Sequence, residues 1–255
     1  MSSEFSENFY AGVSDFSVFK FPSLDSTNVF LKNNYTLFPD FSVIYTENQT
    51  SGRGRFDRKW VSSVGKGLTF SIKIPLERIP TQNWCNITQV MALAIAQMLE
   101  DKKILPKLRW PNDIIVGGAK ICGILGEVIQ CNSTYAMVLG VGLNVNESKE
   151  DLFTLDRKAT SLSLITGIEF VPGDILEVVL TKFISCYEKL INWGYKSLLD
   201  ELDKRLYRSD SPVKVLSGNE EYTGIIAGLT LDGRIQLKTA AGIIEVQSGE
   251  ITSRV

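Results

Sequence analysis

Histidine is absent from all 255 residues of the chain. That excludes a Ser-His-Asp triad, a Cys-His pair, an imidazole general base and any His-ligated metal. The four cysteines, Cys85, Cys122, Cys131 and Cys186, include no Cys-x-x-Cys pair, so structural zinc and dithiol redox chemistry are out. Their scatter in mostly apolar surroundings fits a reduced, cytoplasmic setting. No apolar run approaches the roughly 18 residues of a membrane span, and residues 1–10 are polar and acidic, unlike a signal peptide. Net charge is scarce too: −2 at pH 7 gives no overall attraction to nucleic acid or anionic membrane. What remains is the chemistry of carboxylates, Lys, Arg, hydroxyls, amides, backbone groups and an oxygen-bound cation.

Residues 1 to about 20 are dotted with aromatics but aperiodic, which reads as an irregular leader. Cap-type residues at Asp25-Ser26-Thr27-Asn28 predict a short helix beginning there. Phe41 to Thr46 reads as a buried strand, and the alternation from Leu68 to Ile74 as another, stopped by Pro75. Between Trp84 and Lys103, Ile87, Val90, Met91, Ala94, Ile95, Met98 and Leu99 form one apolar helical face. Strand-like runs follow at 107–110, 114–116, 121–129 and 135–141, with Gly117-Gly118 as a hairpin turn. Residues 175–206 read as a long helical stretch interrupted near Asn192 to Gly194. Past Ser209 short strands alternate with Gly-Asn, Asp-Gly and Ala-Gly turns, the texture of a small β-barrel. The fold class is α+β, with a largely antiparallel sheet and segregated helices. The expected division is 1–208 and 209–255.

Charge concentrates where periodicity fails. From Ser51 to Lys66, Arg53, Arg55, Arg58, Lys59 and Lys66 face one acid, Asp57. Gly52, Gly54 and Gly65 allow close approach of backbone N–H groups to a ligand. Guanidinium forks suit phosphate and carboxylate oxygens, so the segment reads as an anion-binding loop, with Trp60 able to stack on a base or ring. A second cluster, Arg109-Trp110-Pro111-Asn112-Asp113, precedes Lys120, and the acid and the lysine flank the Gly117-Gly118 turn. A carboxylate there can hold Mg²⁺ beside phosphate oxygens. The Gly-x4-Gly-Lys-Ser/Thr spacing of a P-loop is missing.

With Asp25-Ser26-Thr27-Asn28, Gln49 and Gly52-Arg53-Gly54-Arg55 through Arg58-Lys59-Trp60, the run Arg109 to Asp113, Lys120 to Leu125, Gly140 to Asn144 and Gly249-Glu250-Ile251, the chain resembles the biotin–protein ligases. The resemblance implies a class II synthetase-like catalytic domain with an SH3-like C-terminal barrel. It also implies a ligase that forms biotinyl-5′-AMP from biotin and ATP, with Mg²⁺, and then modifies a lysine of a biotin carboxyl carrier protein domain. Catalytic roles fall to Lys120, Arg55 and Asp113. Biotin contacts fall to Ser26, Thr27, Asn28, Gln49, Gly52, Arg53, Gly54, Arg55, Lys120, Gly123 and Leu125. ATP contacts fall to Arg55, Arg58, Trp60, Asn112, Asp113, Lys120, Asn144 and Glu250, with Asp113 at the Mg²⁺. The chain is expected to act as a monomer or homodimer, without DNA or membrane partners. Bifunctional members carry an N-terminal DNA-binding domain, and the roughly 20 residues ahead of these motifs imply the monofunctional type.

Asp57 departs from the family, which has glycine there; if that position is left-handed, Asp is among the few tolerable substitutes. A lipoate–protein ligase shares the adenylation logic, and a non-enzymatic nucleic-acid-binding module is the alternative of another class. Acyl transfer without histidine leaves Asp113 as the candidate base for the acceptor amine.

Overall fold

The computed structural model describes residues 6–8, 15–131, 133–153 and 157–254. Its first part runs β1 (Ser6–Asn8), β2 (Ser17–Phe21), α1 (Thr27–Asn33), β3 (Ser42–Thr46), β4 (Gly52–Arg53), β5 (Lys59–Trp60) and β6 (Gly67–Pro75). Next come α2 (Asn86–Asp101), β7 (Lys107–Arg109), β8 (Asp113–Val116), β9 (Ala119–Cys131) and β10 (Thr134–Asn144). Helices α3 (Lys149–Phe153), α4 (Leu162–Thr166), α5 (Pro172–Trp193) and α6 (Lys196–Arg205) follow. The chain closes with β11 (Val213–Ser217), β12 (Glu220–Leu229), β13 (Ile235–Thr239), β14 (Gly242–Val246) and β15 (Glu250–Arg254).

Eight strands form one mixed sheet in the order β1-β2-β3-β6-β10-β9-β8-β7. Every neighbouring pair is antiparallel except β2 with β3. The expected irregular leader is therefore wrong where it is described, since β1 and β2 are the edge of this sheet. Residues Ser17–Phe21 hide their period because both faces are covered: Val18 joins the main core, and Phe19 and Phe21 pack with Leu31 of α1. The last five strands make an antiparallel sheet ordered β14-β13-β12-β11-β15, as expected of an SH3-like barrel. Among the described residues no helix is long and apolar enough to cross a membrane.

Alternation decides what each face of the large sheet does. On β6, Leu68, Phe70, Ile72 and Ile74 enter the core, as do Leu139, Val141 and Leu143 on β10. Thr69, Ser71, Gly140, Gly142 and Asn144 turn to the opposite face, where α1 lies. Helix α2 is buried on more than the one face its pattern predicts. Asn86 and Gln89 are also buried, and their amides donate to the carbonyls of Asp232 and Gly233 in the second sheet, at 3.0 and 2.9 Å. Trp110 joins the other sheet's apolar cluster, with Val213, Ile235 and Ile251, and donates to Gly233 O at 3.2 Å. These links fix the two sheets against each other. The break in the long helical stretch falls where it is expected, at Gly194, with φ of 73°.

Candidate active site

On the α1 side of the sheet lies a cavity of about 660 Å³. Its floor is made of two glycines paired across adjacent strands, Gly123 on β9 and Gly142 on β10. The indole of Trp60 covers them: a Cβ on Gly142 would stand 2.2 Å from the ring and one on Gly123 3.2 Å from it. Lys120 Nζ sits 5.6 Å from the Trp60 ring centroid and 2.7 Å from Asp113 Oδ1. The acid and lysine flanking the Gly117-Gly118 hairpin thus close into an ion pair. Both glycines have positive φ, 58° and 80°, which is what lets the turn be so short. Lys120 is further pinned by its backbone, its N–H bonded to Lys158 O and its carbonyl receiving Thr160 N–H, each at 2.9 Å.

The basic loop arches over one end as a small hairpin, β4 pairing with β5. Its tip carries Phe56 and Asp57 at φ of 55° and 56°. Asp57 therefore occupies a left-handed position, as expected of a glycine replacement. Arg55 donates to Gly249 O at 2.9 Å and to Asn112 Oδ1 at 3.3 Å. Burial pushes its guanidinium below the ordinary value, against the pull of Glu250 and Asp113. Glu250, at the start of β15, is held by Arg58 and, at 2.9 Å, by Arg157. Burial opposes ionisation of Glu250, but the bonds from Arg58 and Arg157 outweigh it and its carboxyl lies below its ordinary value.

The other end is uncharged. Ser26 caps α1. Gln49 Oε1 lies 3.0 Å from Thr27 N and 3.3 Å from Thr27 Oγ1. Gly52 is required at this point, because a Cβ there would meet Gln49 Nε2 and Trp60 O at 2.4 Å. Among the sequence-derived site residues it alone stays behind the wall; Ser26, Thr27, Asn28, Gln49, Arg53, Gly54, Arg55, Arg58, Trp60, Asn112, Asp113, Lys120, Gly123, Leu125, Asn144 and Glu250 all line the cavity. Asn144 spends its amide N–H on Thr160 O at 2.9 Å. Sequence reasoning missed Arg157, which follows no motif, and the buried Ser71 behind Thr27, whose only signal is a polar residue in an apolar strand.

Among the described residues no three acidic or cysteine side chains converge as a metal cage. Among the described residues that line the cavity, Asp113, paired with Lys120 alone, is the carboxylate not held by arginines, which fits a Mg²⁺ bound mainly through phosphate oxygens.

Beneath the loop's return, Glu147 is 1% exposed. One oxygen accepts Val145 N–H at 2.8 Å; the other is buried without a partner, and a Cβ on Gly67 would press it at 2.6 Å. Burial, the largest cause, pushes its carboxyl up to about 7. The folded chain thus holds this proton more tightly than the unfolded chain. Stability is fully present below the unfolded value and declines as pH rises from about 4.5 through 7, by about 3 kcal/mol. Glu147→Gln is expected to flatten that decline in urea unfolding measured across this range. An unchanged slope in the variant would assign the decline to other groups.

The family model for the biotin/lipoate A/B protein ligases matches residues 20–144, and the biotin protein ligase C-terminal domain matches residues 209–252. A solved biotin protein ligase of Aquifex aeolicus, in complex with biotin and ATP, is similar over 93% of this chain and 99% of its own, with 28% identity and a TM-score of 0.81. A biotin–[acetyl-CoA-carboxylase] ligase of Mycobacterium tuberculosis is 29% identical over 83% of this chain and 79% of its own length. The bifunctional ligase/repressor BirA of Bacillus spizizenii is 28% identical over 84% of this chain, which spans 66% of that relative's length.

Proposed function

This chain belongs to the biotin/lipoate A/B protein ligase family and carries a biotin protein ligase C-terminal domain; on that premise we propose that it adenylates biotin with ATP and transfers the biotinyl group to a lysine of a biotin carboxyl carrier protein domain. The observation that carries this reading is the cavity's polarity. An uncharged hydrogen-bonding end, at Ser26, Thr27 and Gln49, and a cationic end, at Arg53, Arg55, Arg58 and Lys120, share one glycine floor. Biotin has matching ends, a neutral ureido ring and a carboxylate. The division at residue 209 is part of the proposal, supported by the separate strand order and apolar cluster of the last five strands.

Adenylation needs no base, because the carboxylate is already an ionised nucleophile. It needs in-line placement and neutralised charge. Arg53, Arg55 and the backbone between them hold the biotin carboxylate, and Lys120 meets the charge that grows on the α-phosphate. Trp60, Asn112 and Asn144 shape the nucleotide's place. Mg²⁺ bound with ATP would add charge neutralisation, held on the protein side by Asp113. The hairpin over the cationic end keeps water from the mixed anhydride. In transfer, the acceptor amine attacks the biotinyl carbonyl and AMP leaves. Asp113, held by Lys120 alone, takes the amine proton, since Glu250 is held by two arginines.

ATP–pyrophosphate exchange is expected to depend on biotin and to fail with lipoate. Exchange supported by lipoate and not by biotin would replace this reading with that of a lipoate ligase.

A further inference from the structure

We propose that Glu127, Asn28 and Ser71 form a positioning relay that fixes the Thr27 hydroxyl as a hydrogen-bond acceptor facing the ureido ring. The inference rests on the biotin reading of the cavity and names what sets the polarity of its uncharged end.

Counting protons fixes the direction of each bond. Glu127 on β9 is paired with Lys32 of α1 at 2.6 Å, and its other oxygen lies 2.9 Å from Asn28 Nδ2. Leu125 O lies 3.4 Å from the same nitrogen. Both partners only accept, so this end of the Asn28 amide is its NH₂; a flipped amide would set an oxygen against two others. Asn28 Oδ1 then faces Ser71 Oγ at 2.5 Å and receives its only proton. Ser71 Oγ is also 2.7 Å from Thr27 Oγ1, and with no proton left it accepts there. Thr27 is the donor in that contact, and its proton points into the sheet. Gln49 Oε1, the farther partner at 3.3 Å, already receives Thr27 N–H.

Burial keeps this direction from being scrambled by water. Thr27 is 3% exposed, Asn28 4% and Ser71 0%. Gly140, paired with Ser71 across the sheet, makes the close approach possible, because a Cβ there would stand 2.1 Å from Asn28 Oδ1. The cavity wall is left with a Thr27 oxygen lone pair, and Gln49 lines the same end. An N–H complements that lone pair, which is what a ureido ring offers. A dithiolane ring offers no N–H, so the relay also selects between the two substrate classes of the family.

Ser71→Ala is expected to raise the KM for biotin about tenfold while kcat stays within about twofold and the KM for ATP is unchanged. In a Thr27→Val background the same substitution is expected to add less than about a twofold loss, because the hydroxyl it orients is gone. Glu127 is partly exposed, so the fold tolerates change there should Ser71→Ala not fold. Glu127→Leu repeats the tenfold rise, and Glu127→Gln, which keeps an acceptor oxygen, recovers most of it. Independent, multiplying losses at Ser71 and Thr27, or a Glu127→Gln variant as impaired as Glu127→Leu, would overturn the relay while biotin-dependent exchange by the wild type stands. A wild-type protein whose exchange ignores biotin would overturn the reading beneath it.

Discussion

Lys120→Ala slows adenylate formation by roughly 10²- to 10³-fold, the range for losing one preorganised charge stabiliser, while biotin affinity falls much less. The ammonium is placed by two backbone bonds to the 158–160 segment, by its pair with Asp113 and by the Trp60 ring below it. It stands ready before substrate arrives, and its gain is greatest where negative charge grows, at the pentacoordinate phosphorus. Removing it also leaves Asp113 uncompensated beside the phosphates, so part of the loss is new repulsion. The double variant Lys120→Ala, Asp113→Asn is accordingly expected to lift that repulsion but, lacking the carboxylate that would hold Mg²⁺, to stay well below the wild-type rate in the first step and to recover none in transfer. Single-turnover quench with labelled ATP, alongside calorimetric biotin binding, separates these terms. Equal losses in rate and in biotin affinity would show that Lys120 acts in binding alone.

Gly142→Ala is the second change with a large expected effect, although it adds a single methyl. The new Cβ would stand 2.2 to 2.6 Å from three atoms of the Trp60 indole, far inside contact distance, and the ring cannot flex as a chain end can. The indole must leave its seat and take the end of β5 with it. Displacement of a positioning group by about 1 Å can cost about 100-fold, and a loss of that order in kcat/KM for ATP is expected. In a Trp60→Ala background those three contacts are gone, and adding Gly142→Ala is expected to cost little further. Independent losses at the two positions would locate the damage in the strand and not in the ring.

Periodicity made α2, β6 and the β8–β9 hairpin readable, since Leu68 to Ile74 alternates cleanly and Gly117-Gly118 allows little else. The two edge strands before residue 22 were not readable, because covering both faces of β2 removes the alternation that marks a half-buried strand. β15 could be seen as a motif at Gly249-Glu250-Ile251 but not as a strand, because its pairing with β11 is a property of the closed sheet. Residues carried by contiguous motifs, from the Ser26-Thr27-Asn28 run to Lys120, emerge together round one cavity. Lys32, Ser71, Glu127 and Arg157 stayed hidden for a physical reason: each matters only through partners remote in sequence, and nothing local marks them.

Glu250 bridging Arg58 and Arg157 has a consequence for selectivity. Arg53, Arg55, Arg58, Arg157 and Lys120 crowd one end of the cavity, and two carboxylates, Glu250 and Asp113, sit among them as built-in counter-ions. An anion entering that end does not meet bare positive charge; it must trade places with a carboxylate that is tethered and cannot diffuse away. A single inorganic phosphate gains little from such an exchange. A nucleotide triphosphate, presenting several charges on one frame, displaces both tethered ions at once and gains the most.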